Sequence, residues 1–432
     1  MGDYIKKYTG VLLSTILCVS LANAQKIEQV FEQPKDRTPF SGTPELNFNV
    51  DLVFYFQGLN HDYKPATGSV NRIEPGLILP TANFDINAKI MSGFNVKLET
   101  MLSSHHHNDA YVKGGYATVD NLDFIYDGFL SSFMDRSTIK IGVNDVNYGD
   151  DHFRRTDNAD VFRNPFIFNH AVDAYMQGTH IEVLTRLPEF NSFVMAGITN
   201  GITSPNDISK VDTDGSSNRY ALYGKLGFDK QFTEDFRFRI TESLYWQEGT
   251  NRGDLYAGDK AGDVAEGIFG NKGTAQVTTW SAMKGYSANG KEQTYADILA
   301  SKLNVFAKYK GTEVYGLFEY ADGADYLGAD MKMTHYAIDL VQRFYNDKFY
   351  VAGRYENAVV KYADFGAAKG TAQNPGDAEV TQYEIAGGWY LSPSAMVKVS
   401  YIKQKRENFS NAYYVDNKAS FDGFMVSAAL TF

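Results

Sequence analysis

Three stretches of this 432-residue chain carry side chains whose types and spacing could do chemistry. His105-His106-His107, with Asn108 and Asp109 after it, offers imidazole nitrogens to a metal. Neighbouring side chains at a strand end point to opposite faces, so the three rings cannot converge, and no metal centre is expected there. Asp212-Thr213-Asp214-Gly215 has the opening of a calcium loop. Its glycine comes too early for an EF-hand and no acid closes the loop, which leaves Asp212 and Asp214 as a weak surface cation site able to bridge to lipopolysaccharide. Gly285-Tyr286-Ser287-Ala288-Asn289 lacks the last glycine of a nucleophile elbow. Neither His-Glu-x-x-His nor a second cysteine beside Cys18 is present. An enzyme is not expected, and no cofactor is required.

The remaining candidates act through charge. Lys89, Lys97, Lys140, Arg186, Lys225, Arg237, Arg239, Lys302, Lys308, Arg343, Arg354, Lys398 and Arg406 each fall opposite an apolar position in an alternating run. Asp51, Asp85, Glu99, Glu182, Glu319, Asp339, Glu356 and Glu384 do the same. If the apolar positions face lipid, these groups line a lumen with an excess of about five positive charges, and fixed charge in a narrow low-dielectric pore concentrates counter-ions. Arg237 and Arg239 occupy successive inward positions. The competing reading is a self-compensating network pairing across neighbouring strands.

The elements that must position these charges are strands. Leu46, Phe48, Val50, Leu52, Phe54 and Phe56 make one face of the first run, and Asn47, Asn49, Asp51, Tyr55 and Gln57 the other. Only a closed sheet leaves no unpaired backbone in hydrocarbon. Sixteen such runs are expected, at 45–58, 78–91, 94–104, 115–127, 137–146, 178–187, 192–200, 219–229, 235–247, 299–310, 313–322, 334–345, 348–359, 380–391, 396–407 and 420–432. Fourteen or eighteen stay open because the fourth and seventh alternate poorly. Ser92-Gly93, Lys310-Gly311, Asn346-Asp347 and Pro393-Ser394 supply tight turns. Such alternation hides apolar strands from an average, so a mean hydropathy of −0.33 suits a membrane barrel.

At the start, Lys6 and Lys7 precede an apolar run from Val11 to Leu21 and then Ala22-Asn23-Ala24, the layout of a secretory signal removed after residue 24. The run is too short to span a bilayer as a helix. Residues 25–44, with Pro34, Pro39 and Pro44, read as a periplasmic lead-in, and 45–432 as the barrel. Loss of Asp3, Lys6 and Lys7 takes the net charge from −11 to −12, which disfavours a nucleic-acid partner.

The last strand alternates strictly, with Phe424, Val426, Ala428, Leu430 and Phe432 on one side, and ends on Phe432. With the export signal, this resembles the closing strand of bacterial outer-membrane β-barrel porins. Ile139-Lys140-Ile141-Gly142, Tyr148-Gly149, a long loop and Gln177-Gly178-Thr179-His180-Ile181 are similar to the layout of the phosphate-selective-type porins. The resemblance implies an all-β transmembrane antiparallel barrel in the outer membrane of a Gram-negative bacterium. It also implies Phe432 as a signal read by the barrel assembly machinery, contact with outer-membrane lipid and lipopolysaccharide, a homotrimer, with a monomer as the alternative, and passive diffusion of small hydrophilic solutes. A channel specific for phosphate, organic acids or sugars, and a barrel serving adhesion or assembly, are the alternatives.

In porins the third extracellular loop commonly narrows the pore, and residues 147–177, the first of two long connections, are the third extracellular loop here. Arg154, Arg155, Asp157, Asp160 and Arg163, followed by Asn164-Pro165-Phe166-Ile167-Phe168, combine charge for water with an apolar hook for the wall. The loop is therefore expected to fold inward, with Lys140, Arg237, Arg239, Lys308, Arg343, Arg354 and Lys398 around it and a weak anion preference; an exposed, solvated loop is the alternative. A second long connection runs from 248 to 298. Glu242 falls on the lipid side beside Ile240 and Leu244, where a bulge, a rim position or a subunit contact is expected.

Overall fold

The computed structural model describes residues 29–65, 70, 72–103, 109–157, 160–202, 219–250, 253–257, 262–269, 278–286, 292–325, 328–362, 377–408 and 414–432. The signal segment, His105–His107, Asp212 and Asp214 lie outside them.

Eighteen strands follow one another among the described residues: β1 (Glu45–Pro65), β2 (Gly76–Met91), β3 (Phe94–Ser103), β4 (Asp109–Val119), β5 (Ser137–Asp145) and β6 (Gln177–Leu187). Then come β7 (Ser192–Thr199), β8 (Ala221–Gln231), β9 (Phe236–Gln247), β10 (Lys284–Tyr286), β11 (Glu292–Thr294) and β12 (Asp297–Tyr309). The last six are β13 (Thr312–Ala324), β14 (Asp330–Phe344), β15 (Phe349–Tyr362), β16 (Ala378–Ser392), β17 (Ala395–Glu407) and β18 (Tyr414–Thr431). Sixteen of them close an antiparallel barrel in chain order, with β1 on β18 and β9 on β12; β10 and β11 form a separate hairpin in the long connection. The seam is regular from Asp51 opposite Thr431 to Tyr63 opposite Ala419. Val50 and Phe432 exchange backbone hydrogen bonds of 2.8 and 3.0 Å, so the terminal residue completes the ladder.

Alternation sets the two faces, as β14 illustrates. Met331, Met333, His335, Ala337, Asp339, Val341 and Arg343 are buried, while Tyr336, Ile338 and Leu340 stand exposed on the outside. Short turns join strands at one end, apart from residues 120–136 between β4 and β5, and β1 begins and β18 ends there; the long loops lie at the other. Lys310 takes a φ of 53° and Gly93 one of 62°, the left-handed conformation such two-residue turns need.

The fourth strand begins six residues before its expected place. The alternation slips where Glu99 faces Gly114 but Thr100 faces Val112, a bulge at Lys113-Gly114 that hides the pattern. Phe124, Ile125 and Tyr126, which read as the end of that strand, lie exposed in the following turn, ahead of α1 (Ser131–Met134). Glu242 does face outward. Its register against Leu226 and Leu303 is unbroken and central to β9, so neither bulge nor rim accounts for it, and Ser301 Oγ donates to it at 2.5 Å.

Candidate functional site

Three chain segments enter the lumen and meet. From the turn end, residues 29–38 run along the inner wall, where the sequence shows only a lead-in. Lys35 Nζ donates to the carbonyls of Asp120 at 2.8 Å and Ser137 at 2.7 Å, and Lys89 pairs with Asp36 at 2.8 Å. Phe31 lies edge-on to Phe153 and Phe306, with centroids 5.7 and 5.5 Å away.

From the loop end, residues 146–176 cross to the opposite wall. Gly149 makes the entry possible: its φ is 70°, and a Cβ there would stand 2.5 Å from Lys302 Cδ. Lys398 on β17 then donates to the carbonyls of Val161, Asn164 and Phe166 at 2.8, 2.9 and 3.0 Å. Glu384 accepts from the Ile167 and Phe168 N–H groups, and Glu356 from those of Ala171 and Val172. The apolar hook, Phe166, Ile167 and Phe168, is fully buried with Tyr55, Tyr350 and Phe421 of the wall. The second long connection lies against the first, with the Trp280 N–H donating to the Ala171 carbonyl at 2.6 Å, and reaches the wall where Gln57 and the Glu266 backbone exchange hydrogen bonds.

The charged candidates divide by what they touch. Arg239 meets Asp150 at 2.8 Å, Glu32 at 2.8 Å and Asp229 at 3.3 Å; it is buried. Arg237 takes Asp229 in a two-pronged bond of 2.9 and 2.6 Å. Arg343 pairs with Glu313, which Lys308 shares, and Arg354 with Asp339. Arg154 lies 3.7 Å from Asp339 and over the Tyr315 ring, while Arg155 pairs with Asp173 and stacks on Tyr175. Asp157 holds Lys113 of β4. Arg239, Arg154 and the Asp157–Lys113 pair thus tie the third loop to the wall, and Arg239 the N-terminal segment as well, whereas Arg237–Asp229, Arg343–Glu313–Lys308 and Arg354–Asp339 join neighbouring wall strands.

Electrostatics of the loop follow from this. Burial alone would raise the Asp150 carboxyl, but Arg239 and Lys225 outweigh it and hold the group below the usual carboxylate range. Asp151 is lowered likewise against its burial, chiefly by Lys302. Asp160 goes the other way, because burial, opposed by Arg163 at 3.0 Å, pushes it up to about 7.

Open space follows the β2–β6 wall. A cavity of about 390 Å³ at the turn end is lined by Asp36, Lys89, Lys97, Tyr116 and Asp120, among others. A second, of about 250 Å³, shares Lys97, Tyr116, Thr118 and Thr138 with it and extends to Lys140, Asp145, Asp160 and Arg163. Five bases (Lys97, Lys113, Lys140, Arg163, Arg186) and five acids (Glu32, Glu99, Asp145, Asp160, Glu182) line the second. Arg237, Lys308 and Arg343 border a third cavity, of about 500 Å³, at the turn end below β9 and β12–β14. Lys113 and Glu32 escape a reading of the sequence, the first through the bulge, the second because it precedes all strands. Placing Lys113 and Tyr116 at alternate inward positions needs that bulge to be known.

No protein-family model and no curated protein matches the sequence. Among solved structures, a loop-L8 deletion form of OmpT, an outer membrane protein of Vibrio cholerae, superposes with a TM-score of 0.50 at 11% identity, covering 90% of this chain and 100% of that one. An anion-selective porin from Comamonas acidovorans does so with a TM-score of 0.50 at 8% identity, again over 90% of this chain and 100% of the other. At such identities the likeness is one of fold: the chain is a closed sixteen-stranded barrel of the shape outer-membrane porins have.

Proposed function

We propose that the protein is an outer-membrane porin through which small hydrophilic solutes and ions diffuse passively. The observation that carries this reading is the pair of adjoining polar cavities along β2–β6, inside a closed barrel whose exterior is apolar. Lys97, Lys140, Asp160 and Arg163 are the residues a passing solute meets, and the third loop sets the width of the route. Bases and acids balance around it, which supports weak selectivity, with the Asp160 charge deciding its sign. Arg237 and Arg239 contribute little to selectivity on this reading, because Asp150, Asp229 and Glu32 already neutralise them. Purified protein in a planar bilayer should give stepwise conductance; a preparation with correctly folded barrels and no steps would refute it.

A barrel closed to ions and serving adhesion or assembly is the second reading. Its support is the packed centre, where two loops share one buried apolar cluster and Phe31 of the N-terminal segment fills a second one with Phe153 and Phe306. The same conductance measurement separates the two. We further propose a homotrimer, with Glu242 and Ser301 at the contact between subunits, since a carboxylate at mid-height of an apolar belt otherwise faces hydrocarbon.

A further inference from the structure

The third loop meets the wall at a cluster that the proposed route does not use. His335 on β14 and Glu356 on β15 point into the lumen, His170 comes from the loop, and all three are buried. His335 Nε2 lies 2.9 Å from Glu356 Oε1, and His170 Nδ1 lies 3.4 Å from Oε2 of the same carboxylate. The ligand atoms all fall within 4.8 Å of one another. In a tetrahedral centre with bonds of about 2.0–2.2 Å, donor atoms stand roughly 3.3 Å apart, so small shifts would bring the three around one ion.

Two further observations point to a cation. The far nitrogen of His335, Nδ1, lies 3.1 Å from Glu319 Oε2. Glu319 is itself fixed by Lys302 at 3.2 Å and by the hydroxyls of Tyr148 and Tyr256 at 3.0 and 2.5 Å. A carboxylate behind an imidazole keeps the proton on that nitrogen and turns the other lone pair outward, the arrangement that metal-bound histidines have. His170 Nδ1, in turn, is buried and meets Glu356 in poor hydrogen-bond geometry, with no other acceptor or donor among the described residues. Glu356 stays in place by accepting from the Ala171 and Val172 N–H groups at 2.9 and 3.2 Å.

We propose that His170, His335 and Glu356 bind a divalent cation of the zinc class through Nδ1, Nε2 and a carboxylate oxygen, with a fourth position left for water. Two imidazoles and one carboxylate suit zinc, nickel or copper and not magnesium or calcium. Because His170 belongs to the loop and its partners to the wall, the ion staples the third loop across the lumen. The competing occupant of the same point is a proton on His335 Nε2.

The full-length barrel, stripped with chelator and checked for folding by its shifted mobility when unheated, is titrated with Zn²⁺ by calorimetry. One equivalent per chain is expected, with affinity falling at least about tenfold in His170→Gln and in Glu356→Gln. His152→Gln, a buried loop histidine outside the cluster, should bind as wild type does, as should a variant with Asn at 105, 106 and 107. No stoichiometric binding to the wild type would mean that the proton holds the site and would overturn the proposal. Binding that survives His170→Gln but vanishes with the 105–107 variant would overturn it too. X-ray absorption of the zinc-loaded wild type reads the ligands without any substitution: two imidazoles are expected, and a shell of oxygen alone refutes the site.

Discussion

Lys398 shows how much of the loop's position rests on single side chains. Its ammonium serves three loop carbonyls at once, and a buried acceptor left without a donor costs about 1–3 kcal/mol. Lys398→Met should therefore loosen the third loop while leaving the wall intact, seen as larger and noisier single-channel conductance with unchanged unheated mobility. Unaltered conductance would show the loop held elsewhere. Acid should act on other groups. Asp150 and Asp151 have lowered folded values, so the stability they lend is complete above the ordinary carboxylate value near 3.9 and is lost only as pH falls below it. The loop should stay seated from pH 8 down to about 5. Asp160, at about 7, titrates inside that window. Lowering pH from 8 to 6 removes a negative charge from the route and should move the reversal potential in a salt gradient toward anions. In Asp160→Asn this pH dependence should vanish.

At the level of elements, the strands were legible and their furnishings were not. Fifteen of the sixteen barrel strands overlap their expected places over most of their length, because a wall wetted on one face and greased on the other writes a period of two into its residues. Even so, β1 runs seven residues past its expected end and β18 starts six before its expected start. The fourth fails where Lys113-Gly114 bulges, since one extra residue reverses every later position. The hairpin of β10 and β11 is too short to leave a pattern. Which acid holds which base was illegible: Asp150 reaches Arg239 across 89 residues, and nothing in spacing records that. An acid at mid-belt, such as Glu242, costs less than the about 2–4 kcal/mol of a base, and a subunit contact would offset it. Glu242→Leu should leave the barrel folded and shift oligomers toward monomer, measured by mass in mild detergent. A stable trimer in that variant would place the contact on another face.

For the whole molecule, closure and content are separable. The seam of β1 with β18 finishes at Val50 and Phe432, so deleting Phe432 should reduce the amount of barrel in the membrane without altering the conductance of what inserts. Normal membrane levels would argue against a role in assembly. Content is another matter, because residues 29–38 add no strand to the wall. Removing them should leave unheated mobility as it is and raise conductance through the turn-end mouth; equal conductance would show that the segment lies clear of the route.

Arg239 is grasped from both sides, by Glu32 of the segment that enters at the turn end and by Asp150 of the loop that enters at the other. One guanidinium is thus a rivet through two leaves. Gln29, three residues ahead of Glu32, also donates to the Phe153 carbonyl at 2.9 Å, so a pull on this segment would reach the loop there first and at the shared Arg239 next. The pairing thus couples a segment that enters at the turn end to a loop rooted at the far rim, so displacing either would load the other without the wall having to move.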